Sequence, residues 1–290
     1  MSGGGMLGLA HVGALDVLES HGLLRCVKEY VGISAGALVA FGICIGYTMT
    51  EMRQINTGLN FSLIQNLDPE SIFTFMDTFG LDDGSNFDKL LGVLLRTKGL
   101  SPAITFAEFA HQFPHSPQLR IYATDVRTCL KKEFRAKETP DVAMKFAVLA
   151  SASIPFVFVP PREESSGNMF VDGGLIVQSP FHHLDDAERA ETLGLAFNLR
   201  KKIISDQSPA TTILDYFKRL YFSIYHHHDV AMDEKWGHRI VYIDTGTMQP
   251  FNFAASSEEK DALFHLGRES TERFLKTGGR QPKPRRNSCP

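Results

Sequence analysis

The chain has 290 residues, a formal net charge of -3, 43% hydrophobic and 22% charged residues, and a mean hydropathy of -0.10. That balance supplies ample core for one large α/β domain, and no Ser/Gly/Pro-rich linker divides it. It argues against a nucleic-acid partner, and the longest apolar run, Ala35 to Tyr47, is too short to span a bilayer.

Ser2-Gly3-Gly4-Gly5-Met6-Leu7-Gly8 opens the chain and leads into an expected amphipathic helix with Leu9, Val12, Leu15 and Leu18 on one face and Gly22 as its stop. A glycine run before a helix leaves backbone N–H groups unobstructed at the positive end of the helix dipole, a cradle for an oxyanion or a phosphate. Gly3-x-Gly5-x-x-Gly8 also fits the dinucleotide fingerprint. That reading is set aside because the fingerprint needs a preceding strand and only Met1 and Ser2 are available. An elbow fold would place a strand there too, so either another segment fills that sheet position or the strand is lost by truncation.

Tyr30 to Gly46 reads as strand, sharp turn and buried helix, with Gly32-Ile33-Ser34-Ala35-Gly36 at the turn. A serine hydroxyl is a poor nucleophile unless it is exposed, held still and paired with a base. The elbow supplies the first two conditions, and Gly32 and Gly36 let the backbone turn sharply beside Ser34.

Residues 48 to 118 are helical in pattern and rich in apolar weight: Phe61, Leu63, Ile64, Leu67, then Ile72, Phe73, Phe75, Met76, Phe79, then Leu90 to Leu95. These helices are expected to form a core layer, with an acyl-chain groove as the alternative. Thr105-x-x-Glu108 is a capping box. Leu119 to Thr124 alternates as a strand that Glu133-Phe134-Arg135 can pair with, and Asp141 to Ser153 reads as a small-residue helix stopped near Pro155.

Met169-Phe170-Val171-Asp172-Gly173-Gly174 is a strand ending in a carboxylate, with two glycines that give room for another backbone. Taken alone, a turn aspartate before glycine explains it equally well. Glu191 to Asn198 reads as a further strand, Ile213 to Tyr225 as a helical apolar stripe, Arg239 to Ile243 as the last strand, and Ser256-x-x-Glu259 as the cap of a terminal helix. His226-His227-His228 are adjacent and so point in different directions, and no metal or calcium motif is present. From Lys276 the chain is basic and rich in Pro and Gly, which reads as a disordered tail. Cys26, Cys44, Cys129 and Cys289 lack CxxC or metal spacing and are expected as reduced, buried thiols. With no secretion signal before the glycines, the expected location is cytoplasmic.

A Ser-His-Asp hydrolase using Ser34, Asp172 and a later histidine such as His238 or His265 builds several strands before its elbow. Here only about thirty residues precede Ser34, room for roughly one crossover. The blocks SGGGMLGLAHVGAL, GISAGALVA, ATDVRTCLKKEF, ASASIPFVFVPP and FVDGG, in that order, instead resemble the patatin-like phospholipases. The resemblance runs from Ser2 to about Pro180, with weaker echoes to Gly278. It implies a three-layer α/β/α fold with a central, mostly parallel sheet, a domain of residues 1–276 and a tail of 277–290.

The resemblance also implies a Ser34–Asp172 dyad without histidine, in which Asp172 acts as base by close contact and partial desolvation. Gly3, Gly4 and Gly5 would form the oxyanion hole, with Gly32, Gly36, Gly173 and Gly174 as support. The implied activity is acyl-ester hydrolysis on membrane phospholipid or neutral lipid, with peripheral membrane contact and no cofactor. A catalytically impaired lipid- or partner-binding protein and an acyltransferase are the alternatives. The chain departs from the family in three places: Leu7 where Arg or Lys is usual, Gln178 where Asn is common, and the absent first strand.

Overall fold

The computed structural model describes residues 1–58, 66, 70–176, 178–198, 210–212, 216–217, 219–220, 235–250, 252 and 254–279. The expectations for Phe61, Leu63, Ile64, Leu67, most of the 213–225 stripe, His226 to His228, Cys289 and nearly all of the basic tail lie outside these residues.

The strand β3 (Gln118–Asp125) organises the sheet, and every residue after Gln118 is buried because both of its faces are covered. On one edge it pairs antiparallel with β4 (Leu130–Phe134). The other edge is shared. β1 (Glu29–Gly32) runs parallel to its first half, Gly32 opposite Ile121, and β6 (Phe170–Asp172) runs antiparallel to its second half, Asp172 opposite Ala123.

Parallel pairs also join β2 (Gly80–Asp82) to β5 (Phe156–Phe158) and β7 (Gly194–Phe197) to β8 (Ile240–Ile243). Met1 and Ser2 hold the position between β1 and β7. Met1 N donates to Val31 O at 2.7 Å, Ile33 N to Met1 O at 3.2 Å, and Ser2 N to Leu195 O at 3.0 Å. The sheet position expected to lack a strand is thus filled by the two residues ahead of the glycines.

Leu119, Ile121 and Ala123 join a core with residues of α2 (Ala35–Cys44) and α7 (Met144–Ala152). On the opposite face Tyr122 packs with Ile33, and Arg120 reaches Glu29 at 2.6 Å and Glu188 at 3.0 Å, the latter on α8 (Asp186–Glu191). Helices therefore cover the sheet on both sides, as the three-layer expectation requires. The helices α3 (Met49–Gly58), α4 (Ser71–Thr78), α5 (Ser85–Thr97) and α6 (Phe106–Gln112) lie between β1 and β3 in sequence.

Three expectations are corrected. First, α1 (Gly8–Ser20) is buried nearly all round rather than on one stripe, because α9 (Ser257–Lys276) covers the side that the periodicity would leave to solvent. Second, α4 is no core layer: Phe73 is 83% and Met76 78% exposed, with Ile72 and Phe79 also open. Third, Cys26 and Cys129 are exposed, and among the described cysteines only Cys44 is buried. The capping boxes at Thr105 and Ser256 form as expected.

The α1–α9 contact depends on two glycines. A Cβ on Gly13 would collide with the carbonyl of Phe264, and one on Gly267 with the carbonyl of Ala10. Gly13→Ala is expected to lower stability by about 1–3 kcal/mol, the usual cost of overpacking. Urea denaturation at neutral pH would measure it, and an unchanged midpoint would contradict the close approach.

Candidate active site

Ser34 lies at the N-cap of α2 with φ 53° and ψ -122°, a left-handed conformation that side-chain-bearing residues rarely adopt. Its two glycines are sterically necessary. A Cβ on Gly32 would lie 2.5 Å from Ala37 N, and one on Gly36 would lie 2.7 Å from Ser2 O. The Ser34 amide donates to Ser151 Oγ at 2.9 Å, and the Ser151 hydroxyl donates to Tyr122 O at 2.6 Å. Ser34 itself is 6% exposed.

Asp172 arrives from the other direction. β1 ends opposite Ile121 and β6 opposite Ala123, so the two strands run head-on along one edge of β3 and stop on either side of Tyr122. Two residues of strand rise is about 7 Å, which brings the residues after Gly32 close to Asp172. Gly173 completes the approach: a Cβ there would lie 3.2 Å from Ile33 Cγ2 and would strike the Tyr122 carbonyl.

The carboxyl group of Asp172 is fully buried, and Oδ1 accepts from Gly174 N at 2.7 Å. The Asp172 backbone is also held, with its N–H donating to Ser153 O at 2.7 Å and its carbonyl accepting from Thr124 Oγ1 at 3.1 Å.

The glycine loop packs against this seam, and a Cβ on Gly3 would lie 3.2 Å from Ser34 Cβ and 2.7 Å from Gln178 Nε2. Gly3 N donates to Gln178 O at 3.1 Å, so in this structure its amide is engaged within the fold. Met6 N donates to Pro250 O and Leu7 N to Gly4 O. Among the described residues the loop amides left without a partner are those of Gly4 and Gly5. Gly5 sits at φ 54°, which suits glycine. Leu7, where the family usually has a cation, is buried in the main core, so packing and backbone hydrogen bonds hold the loop in place of a charge.

Sequence reasoning missed His11, Tyr122, Ser151 and Ser153. His11 is fully buried in α1, stacks on Phe197 with centroids 4.2 Å apart, and its Nε2–H donates to Ser2 O at 3.0 Å. The acceptor is a carbonyl, so Nε2 carries the proton, and Nδ1 has no partner among the described residues. The signals were present in LAHVG and ASASIP, but a histidine in an apolar helix and serines in a small-residue helix carry no pattern of their own. The histidines weighed for a triad are elsewhere: His265 pairs with Asp261 at 3.4 Å on α9, and His238 stacks on Trp236. Among the described residues no group of three or more His, Cys, Asp or Glu is placed to hold a metal ion.

The arrangement is that of an α/β protein with a strained serine at a strand-to-helix elbow and a buried aspartate at the end of the strand that meets it along one edge of β3. The patatin-like phospholipase family model matches residues 1–185, and the chain belongs to that family. Relatives spanning nearly the whole chain include the uncharacterized protein YqhO of Bacillus subtilis, 26% identical over 302 residues, covering 95% of this chain and 96% of that protein. The probable lipid hydrolase 463L of Invertebrate iridescent virus 6 is 27% identical over 277 residues, covering 95% and 88%. Two solved structures share the fold. VipD from Legionella pneumophila has a TM-score of 0.57 at 16% identity over 96% of this chain, and the type III effector ExoU of Pseudomonas aeruginosa 0.55 at 18% over 97%. The chain spans 66% and 53% of those two proteins.

Burial pushes the His11 imidazole down from its ordinary 6.5 to about 3. The unfolded chain then binds a proton that the native one refuses, so this contribution to stability is complete above pH 6.5 and is lost as pH falls toward 3. The slope is about 1.4 kcal/mol per pH unit. His11→Phe keeps a ring against Phe197 and removes the titration. Between pH 4 and 6 its unfolding free energy should fall with acid less steeply than that of wild type, by about one proton in the slope, as read from urea denaturation at each pH.

Proposed function

We propose that the protein is a lipid acyl hydrolase of the phospholipase A or esterase type, acting through a Ser34 acyl-enzyme with Asp172 as general base. The observation that supports the reading is the head-on ending of β1 and β6 at Tyr122, with a strained serine following one strand and a buried carboxylate closing the other, beside a glycine loop. Family membership and the name of the iridovirus relative support the substrate class.

In the proposed cycle, Ser34 Oγ attacks the ester carbonyl and its proton passes to Asp172, whose buried carboxylate is oriented by the Gly174 amide. The oxyanion forms against the Gly4 and Gly5 N–H groups and the positive end of α2. Collapse expels the alcohol or lysolipid, which takes the proton from Asp172. Water activated by Asp172 then releases the fatty acid and restores Ser34.

The lipid is met at a surface. Among the described residues no helix is long and apolar enough to cross a membrane, so peripheral contact is the mode proposed. The exposed Ile72, Phe73 and Met76 of α4 support it. α4 packs on β2, which pairs with β5, and β5 begins three residues after Ser153. The unpaired Cys26, Cys44 and Cys129 fit a reducing, cytoplasmic setting.

Fatty-acid release from mixed phospholipid and triacylglycerol vesicles tests the chemistry. Ser34→Ala and Asp172→Asn should each lower it by at least about three orders of magnitude while remaining folded. Wild-type rates in Ser34→Ala would sink the assignment. For the surface, the double variant Phe73→Ser, Met76→Ser should bind vesicles about tenfold more weakly yet hydrolyse a soluble short-chain ester at the wild-type rate. Unchanged vesicle partitioning would remove α4 from the membrane contact.

A further inference from the structure

Resting on the reading of Ser34 as nucleophile, we infer that the last turn of α7 fixes the two reacting groups relative to one another, with Ser151 a positioning residue that acts through the Ser34 amide. The Ser34 N–H needs such a partner. The β1 ladder ends at Gly32, and at the N-cap of α2 no carbonyl of the preceding turn is available. Ser151 Oγ supplies the acceptor at 2.9 Å. A hydroxyl has one hydrogen, and that of Ser151 is committed to Tyr122 O at 2.6 Å, so a lone pair faces the Ser34 amide and the rotor is locked. Tyr122 is the residue at the seam, between the register positions of β1 and β6. Ser151 therefore ties the elbow to the seam carbonyl against which Gly173 is packed.

The same turn holds the second group. Two residues on, Ser153 O accepts the Asp172 N–H at 2.7 Å, and Ser153 Oγ closes the turn onto Leu149 O at 2.7 Å. Behind these contacts α7 is anchored by buried Met144, Ala147, Val148 and Ala150. Two ordinary hydrogen bonds from one short rigid segment, one to each reacting residue, set the Ser34-to-Asp172 spacing. The Ser151 hydroxyl is bonded to the Ser34 amide and the Tyr122 carbonyl, so its loss is expected to disturb geometry rather than remove a reacting group.

The test compares Ser151→Ala, Ser151→Thr and Thr271→Ala with wild type, the last removing a buried hydroxyl in α9. Three readouts are taken: phosphonylation of Ser34 by a long-chain alkyl fluorophosphonate, kcat and KM on p-nitrophenyl butyrate, and amide exchange across residues 30–38. Ser151→Ala should lose about tenfold to a hundredfold in phosphonylation and kcat, with KM within about twofold, and the Ser34 amide should exchange faster. Ser151→Thr, which keeps the hydroxyl, should recover most of the rate. Thr271→Ala should lower the thermal midpoint and leave both rates alone. Wild-type rates and exchange in Ser151→Ala, or an equal rate loss in Thr271→Ala, would overturn the inference. If wild type itself resists phosphonylation, the nucleophile reading fails separately. The exchange measurement still decides, since faster exchange in Ser151→Ala supports the clamp and unchanged exchange refutes it.

Discussion

A serine held at φ 53° pays about 1–3 kcal/mol for its backbone, and such a conformation survives only where its surroundings over-determine it. Around Ser34 they do so from four sides. Gly32 and Gly36 let the chain fold back on α2 and on Met1–Ser2, Ile33 hangs from the Met1 carbonyl, and the Ser34 amide is taken by Ser151. Almost every unusual residue near the site can be traced to this one turn. Gly3 and Gly173 are small because the loop and β6 must come within van der Waals reach of it, and Tyr122 offers a carbonyl because the strand edge changes partner there.

The topology explains how the proposed dyad can draw on residues so far apart in sequence. Two strands that end nose to nose on a shared edge present their terminal residues to one another without a connecting loop. The Asp172 backbone is hydrogen-bonded at both its N–H and its carbonyl, and one carboxylate oxygen accepts an amide. A group fixed at so many points needs little reorganisation when a proton arrives, as the proposed general-base role would require of a weak base.

How much of this was legible in the chain depended on whether a feature is local. The elbow, the FVDGG strand end, β3 with its hairpin partner and the two capping boxes are set by neighbours within a few residues, and the pattern of glycines and alternation displays them. The burial of α1 was not legible, because the helix that covers it lies some 240 residues later and leaves no mark on the periodicity of Leu9, Val12, Leu15 and Leu18. Nor was the commitment of the Gly3 amide, since its acceptor is the Gln178 carbonyl and any residue could supply that. Ser151 was invisible for the same reason that it matters: one hydroxyl in a run of alanines and serines acquires meaning only from what faces it. The apolar weight of α4 was read correctly as apolar and wrongly as interior, because composition cannot say which side of a layer a helix occupies.

The glycine-to-carbonyl contact between α1 and α9 bears on where this fold can be divided. The family match stops at residue 185, and yet the helix carrying the glycine loop is sealed by Gly267 and Phe264, well past that point. A chain cut at the family boundary would uncover the Phe264 side of α1 and remove β7, whose Leu195 carbonyl steadies Ser2 and whose Phe197 lies against His11. The portion that the family model matches is therefore smaller than the portion that folds. Insertions, fusions and evolutionary exchange should be tolerated in the loops around α9 but not across its buried glycine, where two backbones leave no room for a side chain.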